Sequence, residues 1–151
     1  IAQGDPTVEQ SAILLTDGFS QIGVDMTSNR QPSAVFAEQL GTLEHQAWMR
    51  DLLWYVDDPG YTGVLFFRTE AVANWMGYSN PELDAVIDEL AATLDPERKA
   101  ELAQEYQRIL IDDAPVLYAA EMPFEIAMRE DIQGYVQLPD NLLWYYPLYR
   151  E

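Results

Sequence analysis

Apolar residues recur at helical spacing in four stretches of this chain, three of them opened by a capping residue followed by proline. Asp5-Pro6 starts the first. Its carboxylate can accept free amide groups of the first turn, and proline fits the first helical position. Ala12, Leu15, Phe19 and Ile22 then mark one face, and Gly23 ends the run. Pro32-Ser33 opens a second helix to about Leu43, with Val35, Phe36, Gln39 and Leu40 at helical spacing. The firmest pattern follows Ser79-Asn80-Pro81-Glu82, where Leu83, Val86, Ile87, Leu90, Ala91 and Leu94 share one face. Asp95-Pro96-Glu97 caps the fourth helix, whose stripe is Leu102, Tyr106, Ile109 and Leu110, running to about Asp112.

Between the helices the pattern predicts short strands. Val24 to Thr27 alternates apolar and polar residues. Gln46 to Val56 is apolar and aromatic, and its second half reads as a buried strand before the Asp57-Asp58-Pro59-Gly60 turn. Tyr61 to Asn74 reads as a helix or irregular helical turns. Val116 to Ala120 predicts a strand, Phe124 to Met128 a second, and Gly134 a turn. The tail from Leu142 to Tyr149 is strongly apolar without alternation. Alternating helices and short strands indicate an α/β fold, helix-rich, with too few strong strands for a complete doubly wound sheet.

Length and charge narrow the function. A chain of 151 residues supports one ordinary domain. Eight basic against 26 acidic residues give a net charge of −18. That disfavours nucleic acid and anionic membrane surfaces as partners. An apolar fraction of 48% excludes a disordered acidic tail, and no apolar run reaches the length of a membrane span. Cysteine is absent, so thiolate chemistry and disulfides are excluded. The chain begins at Ile1 with no basic, apolar leader, and reads as a mature product or an excised piece.

Little in the sequence points to catalysis. Asp57-Asp58 and Asp112-Asp113 are adjacent carboxylates, but adjacent residues in a turn do not flank a scissile bond, and so acidic a chain contains such pairs by chance. His45 is the single histidine, too few for a triad or a histidine-rich metal site. No serine sits in a nucleophile elbow, no acids have calcium-loop spacing, and no glycine loop would cradle phosphate. No enzyme, metal or cofactor is expected. Trp48, Trp54, Tyr55, Tyr61, Trp75 and Tyr78 make an aromatic middle, equally suited to a core or to a ligand cleft.

The order of the motifs is more specific than any one of them. A Gly-Asp-Pro start leads to a helix ending Gln21-Ile22-Gly23-Val24-Asp25-Met26, then to Trp54 and Asp57-Asp58-Pro59. Gly77-Tyr78-Ser79-Asn80-Pro81-Glu82-Leu83-Asp84 follows, then Leu94-Asp95-Pro96-Glu97-Arg98, then Tyr106 to Pro115, and finally Asp131-Ile132-Gln133-Gly134-Tyr135. Over nearly its whole length this resembles the C-terminal part of a family 5 extracellular solute-binding protein, the peptide/nickel class that serves ABC importers.

The resemblance implies a helix-rich mixed α/β fragment, part of the second lobe of a two-lobed periplasmic-binding-protein-like fold. Residues 1–134 would be the C-terminal half of that lobe, and 135–151 an apolar tail returning to the first lobe. It implies capture of a peptide-like or other small solute and delivery to a membrane permease. The full-length protein would be periplasmic or extracellular and lipid- or membrane-associated. Peptide binders of the family place an aspartate four residues before the proline of the Asp-Pro turn and a tryptophan three residues earlier. Here those positions hold Tyr55 and Leu52. Either the amino-group anchor is absent, or a two-residue deletion brings Trp54 and Asp57 into those roles. Trp54, Tyr55, Asp57 and Asp58 are the candidate solute-binding residues. The alternative is a stand-alone acidic α/β protein-interaction domain. The tail, deprived of a native partner, is expected to fold back or, preferentially, to pair with a second copy as a homodimer.

Overall fold

A computed structural model describes residues 1–52, 56, 58–121, 125–138 and 144–151. Contacts divide the chain into two units, Ile1–Leu52 and Leu53–Glu151.

In the first unit, Asp5 caps α1 (Pro6–Gln21) by accepting from the amides of Thr7 and Val8. Gly23 closes α1 at φ +82°, with its amide bonded to the Ser20 carbonyl and that of Val24 to Phe19. The chain then returns in extended form, and Ala2 and Gln31 form a parallel bridge before α2 (Ser33–Thr42) begins. A parallel neighbour reached through a helix is the logic of a βαβ crossover, pared here to one bridge. Val8, Ala12, Phe36 and Leu40 are its buried apolar residues.

In the second unit, α3 (Pro59–Thr62) runs into a π-helical turn, Gly63–Phe67. Two longer helices follow, α4 (Pro81–Ala92) and α5 (Pro96–Asp113), joined by three residues and packed together. Leu83, Ile87, Leu90 and Leu102 are almost wholly shielded from solvent. Phe67 meets the Tyr106 ring edge-on, at 6.1 Å between centroids. Gly63 admits this packing, because a Cβ there would sit 2.9 Å from Ile87 Cγ1. Asn74 fastens the loop before α4: its side-chain amide donates to the carbonyls of Arg68 and Tyr78 and accepts from the Tyr78 amide. Arg68 forks onto Asp88 at 2.8 and 3.2 Å.

The expected strands are mostly not formed. Residues 24–27, 116–120 and 125–128 carry no strand. A strand exists only where a neighbour completes its hydrogen bonds, and among the described residues these take part in no backbone ladder. The strand expected before Asp57 falls largely on residues outside those described. Leu94, expected on the buried face of the third amphipathic helix, is 95% exposed. The helix ends at Ala92, Thr93 is extended, and Leu94 lies past the face it would have joined.

The described tail folds back on its own unit. β1 (Ile132–Gln133) pairs antiparallel with β2 (Tyr149–Arg150). Asp131 binds Arg129 and Arg150 at 2.9 and 2.6 Å. Gly134, at φ +83°, lies so close to the Pro147 carbonyl that any Cβ would collide with it. Trp144 stacks on Tyr146, and Tyr145, Tyr146 and Tyr149 stay exposed. Leu142 and Leu143 lie outside the described residues.

Candidate functional site

Of the four candidate solute-binding residues, Trp54, Tyr55 and Asp57 lie outside the described residues, and Asp58 is placed. Asp58 is the N-cap of α3. Its Oδ1 accepts from the Tyr61 amide at 3.1 Å, and its carbonyl accepts from Thr62. Its Oδ2 receives the Lys99 ammonium at 2.5 Å. The hydrogen bond from Lys99 holds the Asp58 carboxyl below the usual carboxylate range, against the opposing effect of partial burial. Both oxygens are therefore already engaged within the fold. Gly60 is buried beside this turn, where a Cβ would lie 3.0 Å from Asp58 Oδ1 and 3.4 Å from Ala91 Cα. Helices α4 and α5 thus both press on the turn that directly follows the candidate residues.

The other adjacent acids turn away from one another. Asp113 accepts from the Tyr78 hydroxyl and the Asn80 amide at 2.5 and 2.7 Å, whereas Asp112 pairs with Arg108. Partial burial, with Asp113 assisting, pushes the Tyr78 phenol up to about 12. These contacts tie the start of α4 to the end of α5. Among the described residues no cluster of His, Asp or Glu is placed to hold a metal ion.

The first unit contains a cavity of about 340 Å³ lined by Gln3, Asp5, Ser33, Phe36, Arg50 and Asp51 among others. It opens where the Ala2–Gln31 bridge runs out and both α1 and α2 begin. The sequence reading missed Ser33, Arg50 and Asp51 as lining residues. It also missed Lys99, although Lys99 is the sole lysine of the chain.

No family model matches the chain. It is 23% identical over 143 residues to a curated relative from Escherichia coli K12, the probable D,D-dipeptide-binding periplasmic protein DdpA, covering 91% of this chain and 27% of the relative. Among solved structures, the oligopeptide-binding protein AppA from Bacillus subtilis, in complex with a nonapeptide, matches with a TM-score of 0.75 at 15% identity, over 99% of this chain and 30% of AppA. The ABC transporter-associated periplasmic binding protein DppA from Helicobacter pylori, in complex with the peptide STSA, matches with a TM-score of 0.62 at 19% identity, over 76% of this chain and 23% of DppA. The chain therefore spans under a third of the length of the proteins it matches. Its fold is that of a helix-rich part of a two-lobed periplasmic binding protein. The resemblance read from the ordered motifs is the one these comparisons return, and it is to binding proteins rather than to enzymes. No described helix is long and apolar enough to cross a membrane.

Proposed function

We propose that this chain is part of the solute-binding component of an ABC importer, one that captures a small solute and passes it to a membrane permease. The observation that carries the reading is the match along nearly the whole chain, in sequence to DdpA and in fold to AppA. On this reading residues 1–134 contribute to the second lobe and 135–151 return toward the first. The working protein is periplasmic or extracellular and, at full length, lipid- or membrane-associated. Trp54, Tyr55 and Asp57 contact the solute, which is peptide-like or another small molecule. Asp58 frames the site from the adjoining turn. The importer's specificity then lies in the aromatic segment before Pro59 and in what the other lobe supplies.

Native mass spectrometry of the full-length protein, purified from its own host, tests this. The expected result is a co-purifying small-molecule adduct, lost in Asp57→Asn, together with peptide-dependent quenching of tryptophan fluorescence. An unliganded mass combined with unchanged fluorescence across a di- to pentapeptide panel overturns the reading.

A further inference from the structure

The carboxyl end of α5 gathers features that oppose it. Asp112 and Asp113 set two negative charges where the helix dipole is itself negative, and the last turn holds no basic residue. Ala114 follows at φ +46°, a left-handed conformation in which a Cβ crowds the next carbonyl. Pro115 has no amide to prolong the helix. The polar contacts that hold this end from outside the helix converge, among the described residues, on one carboxylate oxygen. Asp113 Oδ2 accepts from the Tyr78 hydroxyl at 2.5 Å and from the Asn80 side-chain amide at 2.7 Å. Both donors are fixed by other bonds. Asn74 grips the amide and the carbonyl of Tyr78, and Asn80 Oδ1 caps α4 through the amides of Glu82 and Leu83. The charged groups around this end are Glu82 and Asp84 of α4 and Arg108 and Asp112 of α5. Arg108 is drawn to Asp112 and Glu82 at 3.2 and 3.7 Å, Asp84 accepts from the Thr69 amide, and among the described residues no cation pairs with Asp113.

We propose that Asp113 is an acid-sensitive latch: ionised, it clasps the last turn of α5 to the start of α4, and on protonation that turn unwinds while the packed faces of the two helices stay closed. A carboxylate only accepts and the Asn80 nitrogen only donates, so an added proton brings a third hydrogen to a place arranged for two. The bonds that remain lose the charge that makes them roughly twice as strong as neutral ones. The packed faces have no such dependence, because Leu83, Ile87, Leu90 and Leu102 are apolar and almost wholly shielded. The Tyr78 hydroxyl, and after it the Asn80 amide, hold the Asp113 carboxyl below the usual carboxylate range. An acid lowered in this way stabilises the folded form above the unfolded value of about 3.9, and that contribution is lost as pH falls through the lower folded value.

The test is carbon-13 NMR of the full-length protein, titrated with acid from neutral pH. The Asp113 carboxyl carbon and the Cα shifts of Ile111, Asp112 and Asp113 are expected to titrate together, with a midpoint below about 3.9. Those Cα shifts should move from helical to coil values while the shifts of Leu102, Tyr106 and Ile109 stay in place. In Asp113→Asn, which has no acid to titrate there, the last turn is expected to be displaced toward coil already at neutral pH and to stay flat. Tyr78→Phe keeps the ring and the acid but removes one bond, and is expected to raise the Asp113 midpoint toward the ordinary range. Titration of Asp113 without movement of the last turn overturns the latch. A transition shared by the interior of α5 overturns it as well, since that is collective acid unfolding. An Asp113→Asn variant that retains the transition assigns it to another acid. A Tyr78→Phe midpoint equal to the parent's overturns the latch even where Asp113→Asn fails to fold.

Discussion

Replacing Gly63 with alanine sets two effects of known sign against each other. Gly63 sits in the π-helical turn, and the Arg68 amide bonds back to its carbonyl at 2.9 Å. Alanine in helical backbone is favoured over glycine by up to about 1 kcal/mol. The new methyl, however, would lie 2.9 Å from Ile87 Cγ1, 3.2 Å from Tyr106 Cε2 and 3.3 Å from Ile87 Cγ2. Ile87 is fully buried and Tyr106 is 5% exposed, so neither can swing into solvent. Overpacking of this kind costs about 1–3 kcal/mol. The net expectation is a loss of about 1–2 kcal/mol, read as a lower urea midpoint at constant m-value when helical circular dichroism is followed. Ile87→Ala alone should cost about 2–5 kcal/mol through the cavity it leaves. On that background both Ile87 contacts are gone and Tyr106 Cε2 at 3.2 Å has a cavity to give into, so the propensity gain should bring Gly63→Ala to near neutral. A coupling energy of about 1–3 kcal/mol therefore separates the pair. The same cost for Gly63→Ala in both backgrounds would refute the steric account, and would locate the penalty in the π-helical backbone itself.

Three further outcomes are expected. Leu90→Ala should destabilise the chain by about 2–5 kcal/mol in urea denaturation, because Leu90 is wholly buried under α5, and a loss below about 0.5 kcal/mol would contradict that burial. Stability should fall between about pH 10 and 12: burial chiefly holds the Tyr106 and Tyr78 phenols protonated up to about 12 in the folded chain, whereas the unfolded chain loses those protons near 10, so the stabilisation is complete below 10 and lost above it. Replacing both tyrosines with phenylalanine should flatten that slope in denaturation series across this range, and an unchanged slope would show that other groups control it. The exposed aromatic tail should drive self-association of the 151-residue chain, and sedimentation should show a dimer that becomes a monomer when the chain ends at Asp140. Monomers in both cases would exclude the tail as an interface.

The helices were legible because their starts are encoded within a few residues. Asp5-Pro6, Asn80-Pro81 and Asp95-Pro96 each place a side-chain acceptor and a fixed φ where a helix begins, and the structure starts helices at Pro6, Pro81 and Pro96. The stripe Leu102, Tyr106, Ile109 and Leu110 is buried in full. Residues 24–27 and 116–120 have strand-like composition, but a strand is a property of two segments, and nothing local to either specifies a neighbour. Leu94 illustrates the weaker information at helix ends: its spacing continues the stripe of α4, while the backbone has already left the helix. The candidate site was legible only by resemblance. The Asp58–Lys99 pair spans 41 positions, beyond the reach of periodicity, and its one local signal was the rarity of lysine in the chain.

The bonds among Tyr78, Asn80 and Asp113 bear on how these helices open. No described helix carries a basic residue in its last turn, so none has a cation at its end to complement the helix dipole. In α5 that end is held from outside, since Asp113 is bound by the residues that precede and cap α4. The Gly23 closure does the same for α1. Helix α2 is held more loosely: its N-cap is Pro32, which offers no acceptor side chain, and it ends on Leu43 in a left-handed conformation, with the Gln39 carbonyl met by Thr42 Oγ1 and His45 Nδ1. Amide hydrogen exchange should therefore be directional and unequal. Deuterium should enter α2 first, from its carboxyl end, while the last turn of α5 exchanges as slowly as the helix interior.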